Sequence, residues 1–457
     1  MPTVLKSTVN RDRLSELYER ERATFVLTHP RSAALAEQAA THMPGGVPMS
    51  WMVKWPGDFP IFIDTAKGAH FTDVDGIDYV DFCLGDTGAM AGHSPAATIA
   101  AVTAQLAKGI TTMLPTADAI TVSAELAERF GLPLWQFTLT ATDANRHAIR
   151  YARLLTGRRK IVVHNFCYHG SVDEAFATLD ADGRTVDRRS NIGPGVPTSE
   201  TTIVVEFNDL AAMEAALATG EVAAVLLEPA LTNIGIVLPA PGYHQAVREL
   251  TRRYGVVLIN DETHTICAGP GGLTRAAGLE PDMLVIGKSI GGGIACGTFG
   301  MTDEMAGRIE RMVPLEDIDV GGIGGTLAGN GLSMAAMAAT LTEVLTEAAF
   351  VKMIPLADRW ADGVQAGIDA VGAPWHVTRL GCRAEYGFSP EEPVNGSEAA
   401  ASDDFELQQL LHLYALNRGI LLTPFHNMAL MCPDTTEADV DAHTQMFADL
   451  CQELFAG

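Results

Sequence analysis

The sequence is short of basic residues. Thirty-one lysines and arginines stand against fifty-six aspartates and glutamates, which gives the chain a net charge of −25. A surface of this charge repels nucleic acid and anionic membranes, and no basic run reverses the sign locally. We therefore expect no nucleic acid and no membrane among the partners, and a small molecule as the substrate.

Long apolar runs are also missing. The N-terminal stretch "MPTVLKSTVNRDRLSELYERERATF" is charged throughout and lacks the apolar core of 7–15 residues that a signal peptide needs. No run of about 20 uninterrupted apolar residues follows, as a membrane-spanning helix would require. The sequence thus predicts neither a signal peptide nor a membrane span. With 47% hydrophobic residues, the 457-residue chain can bury a large core and is expected to form two domains.

Cysteines are few and show no pairing pattern. They are seven in number, scattered, and form no CxxC motif, which predicts reduced, mostly buried thiols in a cytoplasmic protein. The thirteen histidines show no HExxH or similar close spacing, so we expect no metal site. The cysteines are Cys83, Cys167, Cys267, Cys296, Cys382, Cys432 and Cys451.

Two rhythms follow each other along the chain. Residues 10–42 are typical of helices, and "FPIFIDTAKGAHFTDVDGIDYVDFC" then alternates in short runs broken by Gly and Asp, which predicts an antiparallel meander. From about Ala97, helices alternate with short apolar strands. The segments "ATIAAVTAQLAKG", "DAITVSAELAERFG" and "NRHAIRYARLLTG" are predicted helices, each closed by a glycine where a C-terminal cap belongs.

The apolar strands predict the fold class. They are "RKIVVHN", "TTIVVEFN", "VAAVLLEPA", "GVVLINDE" and "MLVIGKS". Fully apolar strands alternating with helices indicate an α/β protein with a mostly parallel central sheet covered by helices. We predict an N-terminal segment over residues 1–80, a large α/β domain over 81–334 and a C-terminal domain over 335–457. The terminal segments together form a smaller α+β lobe.

Reactive side chains stand where three of these strands end. Glu228 follows "VAAVLL", the pair Asp261–Glu262 follows "GVVLIN", and Lys288 follows "MLVIG". In open parallel sheets, ligands sit at the carboxyl ends of the strands, so these groups are expected on one rim. Surface ion pairs at strand ends are the alternative. The turn "TLTATDAN" adds a helix N-terminus with Thr140 and Thr142, a favoured place for phosphate.

Together these groups fit pyridoxal phosphate (PLP). That cofactor needs a lysine for its Schiff base and an acid that keeps its pyridine nitrogen protonated. An alternative is that "GGGIACG" is a loose dinucleotide-binding motif. The run "TFGMTDE" behind it is typical of a strand, however, and a pyrophosphate site would need a long helix there.

The motif from "VVLINDETHT" to "GGLTRAAGLEPDMLVIGKSIGGGIACGTFG" resembles class III aminotransferases, PLP-dependent enzymes of fold type I. The resemblance covers nearly the whole chain. It is nearest to the branch that contains glutamate-1-semialdehyde aminomutase and β-amino acid or amine transaminases. It implies that Lys288 forms the Schiff base and that Asp261 binds the pyridine nitrogen.

Further cofactor residues follow from the same resemblance. "TLTATDAN" stands where the family has a phosphate-binding SGTEAN, with an alanine at position 141 in place of the glycine. "CYHG" supplies the aromatic ring on one cofactor face, and a β-branched residue packs the other. "GGTLAGN" resembles the segment that reaches the phosphate of a neighbouring subunit, which implies a homodimer with shared sites. "EFND" and "LLEP" lie near the ring hydroxyl. The cofactor residues implied are Thr140, Ala141, Thr142, Tyr168, Asn208, Glu228, Asp261, Thr263, Lys288 and Thr326.

Purely structural roles are the alternative for several of these cofactor residues. Tyr168 could be a core aromatic, Thr326 a helix cap and Glu228 part of a structural ion pair. His169 and His264 flank the motifs, and we expect them to support the site from outside.

The substrate pocket departs from the relatives. After "PGGV" the aminomutase branch carries a serine and an arginine that handle the substrate carboxylate, whereas this chain reads "PMSWMVKW" with Met52 at about the arginine's position. Bulky Trp51, Met52 and Trp55 suggest a larger apolar pocket, or alternatively packing of the lobe. Arg383 could bind a carboxylate in bidentate fashion, ahead of Arg379 or Lys54. "TPFHNMALM", with Phe425 and His426, is expected to form another wall.

The predicted function is transamination. An amine or amino acid would give its amino group to a keto acid, aldehyde or ketone in a ping-pong cycle through Lys288. The alternative is an aminomutase of the glutamate-1-semialdehyde type, which shifts the amine within one molecule. A silent cofactor-binding scaffold is a third possibility, against which the presence of both Lys288 and Asp261 argues.

Overall fold

The computed structural model describes residues 9–312 and 323–455. The helices of these residues are α1 Arg11–Thr28, α2 Pro30–Ala39, α3 Ala96–Leu106, α4 Asp118–Phe130, α5 Ala141–Thr156, α6 Leu210–Ala218, α7 Tyr243–Tyr254, α8 Gly272–Ala276, α9 Asp303–Met312, α10 Gly331–Ala339, α11 Glu347–Val371, α12 Gly396–Ala401, α13 Phe405–Leu416 and α14 Glu437–Phe455. The strands are β1 Ile63–Lys67, β2 His70–Asp73, β3 Asp78–Asp81, β4 Leu134–Thr138, β5 Lys160–His164, β6 Ala177–Leu179, β7 Thr185–Asp187, β8 Thr202–Val205, β9 Val222–Leu227, β10 Val257–Asp261, β11 Met283–Gly287, β12 Gly297–Met301, β13 His376–Leu380, β14 Arg383–Gly387, β15 Ile420–Leu421 and β16 Met428–Leu430.

The chain divides into two compact units. The first comprises Pro95–Glu347 and Pro393–Ala400, and the second comprises the rest of the described chain. The sequence places the borders of the large domain at residues 81 and 334, somewhat before those of the first unit. The domain boundaries themselves stay a prediction.

The first unit is built on a seven-stranded sheet in the order β4-β12-β11-β10-β9-β5-β8. Strands β8, β5, β9, β10 and β11 run parallel, and β12 is antiparallel to both β11 and β4. Every residue of β9, β10 and β11 is buried, as expected for strands covered on both faces. The predicted α/β class with a mostly parallel sheet is confirmed, and the run after "GGG" is indeed a strand.

Two of the three predicted glycine caps are present at the ends of their helices. Gly131 and Gly157 close α4 and α5 in the left-handed conformation, at φ +71° and +66°. The predicted glycine cap of α3 is wrong. That helix ends at Leu106 with Ala107 as its cap, and Gly109 lies in the loop beyond.

The second unit holds two smaller sheets. One has the order β1-β2-β3-β15, and the other is the antiparallel sheet β13-β14-β16. The antiparallel pairing of β1, β2 and β3 confirms the predicted meander. Within residues 9–312 and 323–455, no single helix is long and apolar enough to cross a membrane. The consecutive segments Gly331–Val344 and Glu347–Val371 reach that length and composition only when taken together.

Candidate active site

Lys288 directly follows a strand that is buried along its whole length. It adopts φ +53°, a left-handed conformation that residues with a side chain rarely take and that costs on the order of 1–3 kcal/mol. Its Nζ lies 2.7 Å from Nε2 of His264. The preceding Gly287 leaves room for Ala141, because a Cβ there would lie only 3.0 Å from the Ala141 Cβ. The fold therefore presents one lysine beside the start of α5.

Asp261 ends the neighbouring strand, with its backbone paired to Val285 of β11. Its side chain is buried and fully engaged. Oδ2 accepts from Asn145 Nδ2 at 2.8 Å and from His169 Nδ1 at 2.9 Å, and Oδ1 accepts from Thr263 N at 3.1 Å. Burial alone would raise the pKa of Asp261, but these hydrogen bonds outweigh it and hold the pKa below its ordinary value. The site thus keeps a buried carboxylate ionised.

His169 supplies the positive partner of that carboxylate. Its side chain is buried. Burial alone would lower the pKa of His169, but contacts with Cys167 and Asp261 raise it to about 10. The pair is therefore an imidazolium and a carboxylate that sustain each other's charge. His169 therefore supports Asp261, which is the kind of role expected for it.

Glu262, next to Asp261, serves a different segment. Its carboxylate accepts from Thr265 Oγ1 at 2.6 Å, from Leu273 N at 3.1 Å and from Thr274 N. Burial raises the pKa of Glu262. Glu262 ties together the turn after β10 and the start of α8.

The predicted phosphate cradle is the N-terminus of α5. Thr140 is the N-cap, and its Oγ1 accepts from Asp143 N at 3.2 Å. Thr142 Oγ1 accepts from Ser171 N at 3.0 Å, which fastens the loop after "CYHG" to this end of the helix. Gly170, at φ +72°, permits the approach because a Cβ there would overlap the Thr142 hydroxyl. Backbone N–H groups at such an end attract anions.

Tyr168 and Glu228 are linked by a hydrogen bond. Tyr168 N donates to Glu228 Oε1 at 3.1 Å, while Glu228 Oε2 accepts from Thr232 N at 3.2 Å. Burial raises the pKa of Glu228, although the nearby His169 works in the opposite direction. Glu228 thus fixes the backbone from which Tyr168 projects.

Two of the predicted cofactor residues have other surroundings. Asn208 adopts φ +68° and uses its amide to join three loop positions, donating to Leu238 O at 3.0 Å and Val394 O at 2.8 Å and accepting from Ala240 N at 2.8 Å. Thr326 is exposed on the loop before α10. Their cofactor roles stay predictions.

The predicted substrate residues belong to the second unit. Trp51 meets Phe425 edge to face at 5.4 Å between ring centroids, and Met52 is exposed. Trp55 donates from Nε1 to Leu422 O at 3.0 Å and packs against a buried cluster around Phe25. This contact is the packing alternative weighed for the tryptophans.

Arg383 is completely buried in β14 of the second unit. Its Nη2 donates to Glu385 Oε2 at 3.1 Å, and His426 Nδ1 lies 3.1 Å from Glu385 Oε1. Burial opposes ionisation of Glu385, but His426 and Arg383 hold its pKa below the ordinary value. Arg379, by contrast, is exposed and paired with Asp358 and Asp362. Binding of substrate by Arg383 and His426 stays a prediction.

The residues around Asp261 fit pyridoxal phosphate. Asn145 Oδ1, His169 Nε2 and Thr263 Oγ1 are buried without a hydrogen-bond partner among the described residues. A lysine amine, an ionised carboxylate and a helix N-terminus that attracts anions are the three groups the cofactor needs. Among residues 9–312 and 323–455, no group of three or more His, Cys, Asp or Glu side chains is arranged to hold a metal ion.

Sequence reasoning missed Asn145 and the contact of His264. Asn145 is the last residue of "TATDAN", so the motif itself held the signal. His264 stands one residue beyond Thr263, but its contact with Lys288 joins positions 24 residues apart and needs the fold to become visible.

Comparison with known proteins identifies the family of the chain. The family model described as "Aminotransferase class-III" matches residues 52–448. A glutamate-1-semialdehyde 2,1-aminomutase of Anaeromyxobacter dehalogenans is 33% identical over 400 residues, which cover 86% of this chain and 91% of that protein.

Solved structures show the same relationship. The structure of a glutamate-1-semialdehyde aminomutase from Pseudomonas aeruginosa superposes with a TM-score of 0.96 at 50% identity, over 98% of this chain and 99% of that one. An omega-transaminase from Sphaerobacter thermophilus gives 0.83 at 28% identity, over 93% and 98%. A Lys-to-Ala variant of the Pseudomonas protein was solved in complex with PMP, the amine form of the cofactor. The chain belongs to the class III aminotransferases and is a PLP-dependent enzyme of fold type I.

Proposed function

We propose that the chain is an aminomutase of the glutamate-1-semialdehyde type, which moves an amino group from carbon 2 to carbon 1 of a small aldehyde. The observation that carries this proposal is the 50% identity, over 98% of the chain, to a structure described as such an aminomutase. Curated relatives at 33% and 32% identity carry the same name. This reverses the order predicted from the sequence, where transamination stood first.

The proposed chemistry divides between two sides of the site. Lys288 Nζ moves a proton at the substrate carbon that carries the amine. The Asp261 carboxylate, kept ionised by its hydrogen bonds from His169, Asn145 and Thr263, would hold the ring nitrogen of PLP. When bound, PLP supplies a protonated ring that accepts the electron pair released at that carbon.

The rest of the site would orient the cofactor. Thr140, Ala141 and Thr142 would offer N–H and hydroxyl groups to its phosphate at the N-terminus of α5. The ring of Tyr168 would cover one face of the cofactor, and the β-branched Thr263 the other. Glu228 supports Tyr168 by accepting a hydrogen bond from its backbone N–H at 3.1 Å.

Transamination with an external acceptor is the second candidate. It is favoured by the segment around Met52, which is exposed and apolar where the aminomutase branch is expected to carry an arginine for the substrate carboxylate. The relatives of known structure include an omega-transaminase at 28% identity. In this case amines with aryl or branched groups would be better donors than small amino diacids.

Dependence on an acceptor separates the two functions. The purified enzyme is given glutamate-1-semialdehyde without a keto acid, and its consumption is compared with the number of active sites. An aminomutase turns over many times, whereas a transaminase stops after one equivalent and resumes when pyruvate is added. The variant Lys288→Ala is the control and should be silent in both assays.

We also propose a homodimer in the cytoplasm. The first unit exposes three large apolar side chains, Met113, Leu114 and Ile120, at 73–76% exposure, and apolar side chains this exposed are candidates for an interface. Thr326 and Leu327 are exposed as well, and the former would reach the phosphate in the second copy. Light scattering should give twice the mass of the chain. A monomeric mass in the active enzyme would contradict the dimer. The seven buried cysteines support the location.

A further inference from the structure

The contact between Lys288 and His264 joins the reacting amine to a second titratable group. Their nitrogens are 2.7 Å apart, a short distance for a hydrogen bond between side chains. Both residues are half-buried, so the contact is partly shielded from water.

Both ends of this contact are fixed by the fold. Lys288 follows a buried strand and adopts a left-handed conformation. His264 precedes the short turn Thr265–Ala268, whose Ile266 N donates to Glu262 O at 2.9 Å. The Thr265 hydroxyl also donates to the Glu262 carboxylate at 2.6 Å. The imidazole is therefore carried by a segment that is itself anchored.

The contact between Lys288 and His264 could serve proton transfer. At neutral pH an ordinary lysine carries an ammonium, which has no lone pair with which to attack a carbonyl carbon. Imidazole is the side chain best suited to accept a proton near neutral pH. An ammonium can donate only to a nitrogen that bears a lone pair. In the tautomer of His264 whose proton is on Nδ1, the 2.7 Å contact places such a nitrogen, Nε2, where a proton would leave Lys288.

We propose that His264 is the base that deprotonates Lys288. One N–H bond of the ammonium breaks and one N–H bond forms at Nε2, which leaves a neutral amine and an imidazolium. The proton returns when the amine is next released. The inference rests on the proposed role of Lys288 as the reacting amine.

Binding of two cofactor forms to the apoenzyme tests it. PLP carries an aldehyde that Lys288 can capture, whereas PMP carries an amine and binds without a covalent bond. The capture of PLP is followed by borohydride quenching and peptide mapping, and the affinity for PMP by fluorescence. His264→Ala and His264→Gln should bind PMP like wild type but capture PLP on the order of 100-fold more slowly. Added imidazole should restore the rate of His264→Ala.

Each other outcome has a defined meaning. A wild-type capture rate in His264→Gln would overturn the proposal, because a hydrogen bond to the amide oxygen would then suffice. Equal losses for PLP and PMP, or no rescue by imidazole, would also overturn it and assign His264 to structure. Lys288→Ala should bind PMP and trap nothing. If wild type also traps nothing at Lys288, the role of the lysine fails, which is a separate result.

Discussion

His169 Nδ1 and Asp261 Oδ2 lie 2.9 Å apart, and both side chains are buried. The imidazolium and the carboxylate each favour the charged form of the other, against the cost of burial. The carboxylate accepts two further hydrogen bonds, from Asn145 and from the backbone of Thr263. The charge of the proposed ring-nitrogen partner is therefore set by a network and not by one residue.

The first prediction concerns stability and pH. Since the folded pKa of His169 is raised to about 10, its contribution is full below the unfolded value of about 6.5 and is lost as the pH rises towards 10. Since the pKa of Asp261 is lowered, its contribution is lost in acid. Urea unfolding of wild type and His169→Gln should differ most near pH 5–6 and converge towards pH 10. The exposed His42→Gln is the control, and a difference independent of pH would contradict the charged pair.

The second prediction concerns Asp261→Asn. We expect the variant to bind cofactor but to release the proton from substrate orders of magnitude more slowly, because a neutral amide does not hold the ring nitrogen protonated. Stopped-flow spectroscopy of the first half-reaction measures this. Glu262→Gln is the matched variant and should lower stability more than rate, given its bonds to Thr265 and Leu273. Near-normal turnover of Asp261→Asn would contradict the role proposed for Asp261.

The third prediction concerns Lys288. The purified enzyme should be yellow, and borohydride should bleach the colour irreversibly. Lys288→Ala should lose both the reducible linkage and turnover while its circular dichroism is retained. The exposed Lys108→Ala should behave like wild type in both measurements. Normal turnover without Lys288 would disprove the assignment.

The fourth prediction concerns Arg383. If it binds a substrate carboxylate, Arg383→Ala should weaken acidic substrates by about 1.5–3 kcal/mol and leave simple amines unchanged. Its removal also leaves Glu385 buried with one partner fewer, so the free energy of unfolding should fall. Steady-state kinetics on both substrate classes decide, with the exposed Arg379→Ala as control. Equal losses for both classes would make Arg383 structural.

The fifth prediction concerns the phosphate cradle. A Cβ at Gly297 would overlap the backbone carbonyl of Thr140, so Gly297→Ala should displace the start of α5 and weaken binding of PLP. A Cβ at Gly195 meets nothing within 4 Å, and Gly195→Ala should bind normally. Equilibrium dialysis against PLP measures both. Unchanged affinity in Gly297→Ala would place the phosphate elsewhere.

The sequence was sufficient for the parts of the site that depend on strand ends. Parallel strands end on one rim, so the strand order alone predicts that Asp261 and Lys288 lie at the same edge of the sheet. Helix ends were predictable where a glycine takes the left-handed cap, as at Gly131 and Gly157, and failed at α3, where Ala107 caps without one.

Hydrogen-bond partners that depend on the direction of a side chain could not be predicted from the sequence. His264 could have faced solvent or protein, and only the turn after β10 aims it at Lys288. The three hydrogen bonds by which the Asn208 amide joins loop positions were likewise not visible in the motif that contains it.

The left-handed conformation of Lys288 implies a conflict between the stability of the fold and the need for an amine at this position. A glycine would adopt φ +53° without the penalty that a side chain incurs. The free energy of unfolding of Lys288→Gly should therefore be about 1 kcal/mol higher than that of Lys288→Ala. The chain carries a residue that its own backbone disfavours at this position. The lysine is thus retained although it lowers the stability of the fold. In a duplicate of the protein that is no longer selected for catalysis, we expect substitution of this lysine by glycine to be tolerated.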